Sequence, residues 1–174
     1  MSDETREQQS LSKENAIDPL ILQSAIRRLK SEQNLMLAIV AGGAAALVGA
    51  SIWAAITAAT SFQIGWMAVG VGVLVGYAVR MFGKGVEKLY GFVGAGWSLV
   101  GCATGNLLAV LGVISNQRSV PFFSLVEKLN PEIIVNLMQA TFNPMDLLFY
   151  GIAVYEGFKF SFRQVTEADL MKIS

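Results

Sequence analysis

The sequence predicts an all-α protein, a polytopic transmembrane bundle of about four helices with an N-terminal amphipathic helix and interfacial helices before the last span. Three observations predict it. Of the 174 residues 53% are hydrophobic and only 15% charged, far from the balance of a soluble domain. The apolar residues gather in long uncharged runs, leaving most charges to the N-terminal tail, the surroundings of Lys84 and the C-terminus. Within those runs glycine, alanine and serine recur at every fourth position, the spacing that lets helix backbones approach closely in lipid.

The length suits one membrane domain with short tails rather than an added soluble domain. Residues 1–16 read as a polar tail, without a cleavable signal. Ser2 and the terminal Met-Lys-Ile-Ser imply no lipid anchor. Residues 17–34 are expected to form a cytoplasmic amphipathic helix: Asp18 can cap it, Pro19 suits its first turn, and Leu22, Ala25, Ile26 and Leu29 share one face. Arg27, Arg28 and Lys30 beside that face suit an anionic membrane surface, while a plain cytoplasmic extension of the first span fits equally well.

The transmembrane domain is expected over residues 35–163, with spans at 35–59, 64–82, 90–114 and 145–162. The first span carries no charge and extends roughly 35 Å, enough for a ~30 Å hydrocarbon core. Its small residues Ala38, Gly42, Ala46, Ala50, Ala54 and Ala58 form one stripe. After a turn at Ser61, Phe62 and Gln63, the second span repeats the spacing with Ala68, Gly72 and Gly76, and Arg80 continues that face. Gly83, Lys84 and Gly85 then predict a tight turn. The third span has two rows, Gly94, Ser98 and Cys102, then Gly101, Gly105 and Ala109. For each row, bundle packing outweighs a pore-lining or ligand-binding role.

From Ser115 to Asn143, Pro121, Asn130 and Pro131 divide the chain into stretches too short to span a bilayer. Two interfacial pieces are expected there, one around Phe122, Phe123, Leu125, Val126 and Leu129, the other around Ile133, Ile134, Leu137, Met138 and Phe142, capping the bundle as the blander reading, with docking of a partner as the alternative. Pro144 opens the last span, which holds Glu156 and Lys159, and for which a re-entrant course competes with a crossing. Residues 164–174 are the expected cytoplasmic tail. Arg27, Arg28 and Lys30 precede the first span, Arg80, Lys84 and Lys88 surround the second turn, and Lys159, Arg163 and Lys172 follow the last. That distribution predicts both termini in the cytoplasm.

Several chemistries are excluded. Histidine is absent and Cys102 is the one cysteine, so no disulfide, zinc cluster, haem ligand pair or thiol-imidazole pair can be built. Cys102 reads as a small packing residue. Gly70, Gly72 and Gly76 lack the strand, lysine and hydroxyl of a phosphate loop. No catalytic residue, cofactor or metal ligand is expected, and the chain is not expected to be an enzyme. A formal net charge of zero without a basic block argues against nucleic acid as a partner.

The residues to weigh for function are Arg80, Glu156 and Lys159, because an ionisable group within a span seeks a partner or a wet cavity. On an oppositely directed helix Glu156 would lie about one turn deeper than Arg80, within reach of a pair. The blander reading has Arg80 snorkelling to the interface and Glu156 paired with Lys159 on the next turn. Tyr77, Tyr155, Trp66 and Trp97 are expected as interfacial anchors, and Asn106 as an interhelical hydrogen-bonding residue.

The stretches Gly65–Arg80 (GWMAVGVGVLVGYAVR) and Pro144–Phe160 (PMDLLFYGIAVYEGFKF) resemble those of small, uncharacterised bacterial inner-membrane proteins with glycine-rich transmembrane helices. The resemblance covers most of the chain after residue 34. It implies the inner membrane of a bacterium and no particular activity or site. The expected function is a packing, assembly or accessory component of the membrane, with the lipid bilayer and either further copies or a membrane protein as partners. The alternative is a small oligomeric channel or transporter using Arg80 and Glu156.

Overall fold

The computed structural model describes residues 19–61, 65–141 and 143–163. The polar tail, the cap at Asp18, the turn at Phe62 and Gln63, the expected span start at Ile64, Phe142 and the C-terminal tail with Lys172 lie outside the described residues, as do the side chains of Leu22 and Ala25. All regular structure among the described residues is helical.

Helix α1 (Pro19–Ser31) belongs to a unit of its own. Ile26, Arg27, Arg28 and Lys30 are exposed on it and Leu29 is buried. Arg28 Nε stands 4.0 Å from Glu32 Oε1 one turn on, an exposed pair of small energetic weight.

The second unit, Gln33–Arg163, holds α2 (Leu35–Thr60), α3 (Trp66–Gly83), α4 (Lys88–Arg118), α5 (Phe122–Glu127), α6 (Pro131–Thr141) and α7 (Pro144–Phe160). Among the described residues three helices, α2, α3 and α4, are long and apolar enough to cross a membrane. Helix α4 runs 31 residues and takes in Ser115, Asn116, Gln117 and Arg118, which the sequence reading assigned to the interfacial segment. Nothing breaks the helix there until Ser119 turns left-handed, and polar side chains on an exposed final turn cost little.

Local chemistry sets the helix ends. Asn34 Oδ1 accepts the Leu37 N–H at 3.0 Å to start α2. Asn143 and Asp146 cap α7 reciprocally, Oδ1 of the first accepting from Met145 N–H and Oδ2 of the second from Asn143 N–H, with Pro144 in the first turn. Ser61, Lys84 and Ser119 close α2, α3 and α4 at φ 55°, 50° and 52°, and each donates its N–H to the carbonyl four residues back. The left-handed residue of the α3–α4 turn is therefore Lys84, not a flanking glycine. Those glycines supply space. A Cβ on Gly83 would stand 2.6 Å from Ala38 Cβ, and one on Gly85 would enter the Tyr90 ring.

Helices α3 and α4 pack on each other, while α2 and α7 lie on opposite flanks of that pair. Each flanking helix touches both α3 and α4, and α2 and α7 do not meet. The run of contacts gives the directions. Along α2, Gly42 faces Val79 and Gly49 faces Val71, so α2 and α3 are antiparallel. Gly42, Ala46, Ala50 and Ala58 meet Trp97, Gly101, Gly105 and Gly112 in that order, so α2 and α4 are parallel. Phe149, Ala153 and Phe160 of α7 meet Gly65, Gly72 and Gly76, so α7 runs parallel to α3, not opposite to it as the sequence reading placed Glu156. Most of the core is alanine, glycine and valine, with Trp53, Tyr90, Cys102 and Leu111 buried among them. Such backbone proximity gains dispersion energy where lipid supplies no hydrophobic drive.

Candidate functional site

Polar chemistry within the bundle gathers at four levels. The first is the α3–α4 turn. Gly83 O accepts the Asn34 N–H at 3.0 Å and Gly85 O accepts the Arg163 N–H at 2.9 Å. Gln33 Oε1 accepts the Val86 N–H at 3.1 Å. One turn thus holds both the entry to α2 and the exit from α7, and buried Tyr90 packs against it. Arg80, Lys84, Lys88, Lys159 and Arg163 all lie on the segments that converge here.

Arg80 and Glu156 are both half-buried and Lys159 is exposed. What comes near α3 is the Glu156 carbonyl, 3.2 Å from a Cβ built on Gly76, one turn before Arg80. No ion pair within 4.0 Å joins Arg80, Glu156 and Lys159 to one another. Neither the Arg80–Glu156 pair nor the local Glu156–Lys159 pair of the sequence reading is formed. Lys159 Nζ instead stands 5.6 Å from the centre of the Tyr155 ring and 5.8 Å from that of Phe160, contacts that keep a cation over aromatic faces.

At the second level α4 and α7 exchange serines. Ser98 Oγ donates to Gly94 O at 2.7 Å and Ser161 Oγ to Gly157 O at 2.6 Å, so each hydroxyl is satisfied within its own segment. The Ser161 hydroxyl occupies the space that Gly94 leaves, and the Ser98 hydroxyl the space that Gly157 leaves. Two Gly-x-x-x-Ser segments running in opposite directions interlock. The sequence reading singled out Gly94 and Ser98 but missed Gly157 and Ser161, although the identical spacing was the available signal.

The third level lies between α3, α4 and α7. Cys102 Sγ stands 3.7 Å from Ala68 O. The Tyr150 hydroxyl donates to Cys102 O at 3.3 Å, and the Asn106 side chain is buried. Cys102 is a buried free thiol. The half-buried Trp97 ring lies over Gly42 and Gly43, with atoms 2.8 and 3.1 Å from the Cβ positions those residues lack. Trp66 and Tyr155 are exposed, and Tyr77 stacks on Phe160 with centroids 5.2 Å apart.

The fourth level is at the opposite end from the α3–α4 turn. A cavity of about 220 Å³ lies between Thr57 and Ser61 of the α2 end, Ala109, Val110, Val113 and Ile114 of α4, and Thr141 of α6. Thr57 is 3% exposed and Trp53 2%. Thr57 Oγ1 and Trp53 Nε1 are buried without a hydrogen-bond partner, an arrangement that costs about 1–3 kcal/mol per group. The sequence reading passed over both, since nothing in spacing marks which hydroxyl of an apolar helix goes unmet.

The stripe residues Gly42, Ala46, Ala50, Gly72, Gly76, Gly94, Gly101 and Gly105 are all buried. Their neighbours are backbone and small side chains of the facing helices, with Trp97, Trp53 and Phe160 as the bulky exceptions. Among the described residues no group of carboxylate or thiol side chains is placed to hold a metal ion. Compared with protein-family models, with curated protein sequences and with solved structures, the chain matches none.

Proposed function

We propose that this chain is an assembly or accessory component of a bacterial inner membrane, a four-crossing bundle with both termini in the cytoplasm that supports other membrane proteins and performs no catalysis of its own. The observation that carries this reading is the interior: glycine and alanine faces bring helix backbones close together, with Trp53 and Tyr90 buried among them. A conduction path needs several pore-facing polar groups, and among the described residues the hydroxyls of Ser98, Ser161 and Tyr150 are taken up by helix carbonyls.

The fourth crossing rests on α7 lying beside α3 from Gly65 to Gly76, with Arg163 reaching Gly85 O beyond the end of α3. Its 17 residues extend about 26 Å. The orientation rests on the cations around the α3–α4 turn. In a Cys102→Ser background, a membrane-impermeant thiol reagent applied to intact cells is expected to label Gln117→Cys and to spare Lys88→Cys. Labelling of the second alone reverses the orientation.

Native mass spectrometry after gentle extraction tests the function. A reproducible membrane-protein partner in fixed stoichiometry is expected, and a species accompanied by lipid alone removes the proposal. A second reading, a small oligomeric channel or transporter, draws on Arg80 and Glu156 standing half-buried on adjacent parallel helices one turn apart. A homo-oligomer whose solute flux is lost in Glu156→Gln favours it.

A further inference from the structure

The α3–α4 end of the bundle gathers cations that the fold leaves without an ion pair. Among the described residues no carboxylate within 4.0 Å takes up Arg80, Lys84, Lys88 or Lys159. Arg80 is half-buried, and the three lysines are exposed. The Arg163 N–H bonded to Gly85 O brings a further positive charge to the same end. The carboxylates on these segments are Glu87 and Glu156, too few to balance them. At the opposite end Arg118 and Lys128 stand among Glu127, Glu132 and Asp146, which offset them.

Two of these cations flank an aromatic pair. Tyr77 of α3 stacks on Phe160 of α7 with centroids 5.2 Å apart. Lys159 Nζ stands 5.8 Å from the centre of that same Phe160 ring and 5.6 Å from the centre of Tyr155. Arg80 follows Tyr77 by three residues, on the same face of α3 and in its last turn. The parallel course of α3 and α7 thus brings one cation from each helix to a shared pair of rings. Tyr77 and Tyr155 are exposed, so this face is open to the bilayer.

Aromatic rings with cations about one turn beyond them repeat the order in which a phospholipid presents its acyl chain and then its phosphate. A soluble anion would leave the rings uncovered, and an acidic protein segment would have to pass the headgroup layer to reach them. We infer that Arg80 and Lys159, with Lys84 at the end of α3, bind the phosphate of an anionic phospholipid whose chain lies over Tyr77, Phe160 and Tyr155. A guanidinium can meet two phosphate oxygens at once, and Lys159 adds a second charge from the other helix. A zwitterionic lipid carries its own cation beside the phosphate and gains less here. The inference rests on the bundle crossing a membrane and not on its assembly role.

The test is native mass spectrometry of the full chain in detergent with equal amounts of phosphatidylglycerol and phosphatidylcholine of identical acyl chains. Wild-type protein is expected to retain phosphatidylglycerol in preference. Lys159→Gln and Arg80→Gln are each expected to lower that preference about fivefold, the share of one basic residue near an anionic surface, and Arg118→Gln at the opposite end to leave it unchanged. Equal uptake of the two lipids by wild type, or an equal loss in Arg118→Gln and Lys159→Gln, overturns the inference while the membrane reading stands. Uptake of neither lipid removes both. Displacement of phosphatidylglycerol by inorganic phosphate at constant ionic strength assigns the face to a soluble anion and also overturns the inference. Lys159→Gln, at an exposed position, decides the question even if Arg80→Gln fails to fold.

Discussion

The two ends of the bundle use the same small residues and arrive at opposite results. From the α3–α4 turn to the α4–α7 contact, neighbouring groups enter the gaps that glycines leave: Tyr90 at Gly85, Ser161 at Gly94, Ser98 at Gly157. Hydrogen bonds from Asn34 and Arg163, and one to Gln33, close the same end. At the far end Thr57 and Ala109 border a cavity of about 220 Å³, and Ala55, Ala58, Ala59 and Gly112 border an open groove of about 740 Å³. A stripe of small residues is therefore only permission for contact. It becomes a packed interface where the facing helix presents a matching protrusion, and it becomes space where none arrives.

That contrast can be broken by substitution. Gly72→Val should have the largest effect, because its Cβ would stand 2.7 Å from Ala153 Cα and 2.8 Å from the carbonyl carbon, main chain that cannot rotate aside. A loss of about 3 kcal/mol in a detergent-unfolding titration is expected, the upper range for overpacking, and a loss no larger than that of an exposed-site change refutes the close α3–α7 contact. Gly85→Ala meets a side chain, the Tyr90 ring, which can shift, so a smaller loss of about 2 kcal/mol is expected from the same titration. At the loose end the sign reverses. Thr57→Val exchanges an unmet buried hydroxyl for a methyl and should stabilise the protein by about 1 kcal/mol; a loss would mean that the hydroxyl has a partner. Gly70→Ala sharpens the scale, for a Cβ there has nothing within 4 Å, and a change below about 0.5 kcal/mol is expected.

Much of the fold was legible in the residues, and the reasons are local. Pro144 was read as the start of the last helix and stands in its first turn, and the uncharged run from Leu35 to Thr60 leaves its backbone no better partner in lipid than its own helix. Other readings needed the facing helices to complete them. The turn expected at Gly83, Lys84 and Gly85 is present, yet Lys84 takes its left-handed backbone and the two glycines admit Ala38 and Tyr90. Arg80 and Glu156 lie on neighbouring helices without forming the pair their charges suggested.

By itself the sequence determined the helices, three of them able to cross a membrane, and the face that each of α2, α3 and α4 turns inward, since four-residue spacing places small groups on one side of one helix. Only the tertiary structure decided which partner meets each face, that α7 runs parallel to α3, and that an unmet threonine borders a cavity. The physical reason is that lipid ranks one apolar face scarcely above another. The choice between them then rests on shape matched across two helices, which spacing along a single helix does not contain.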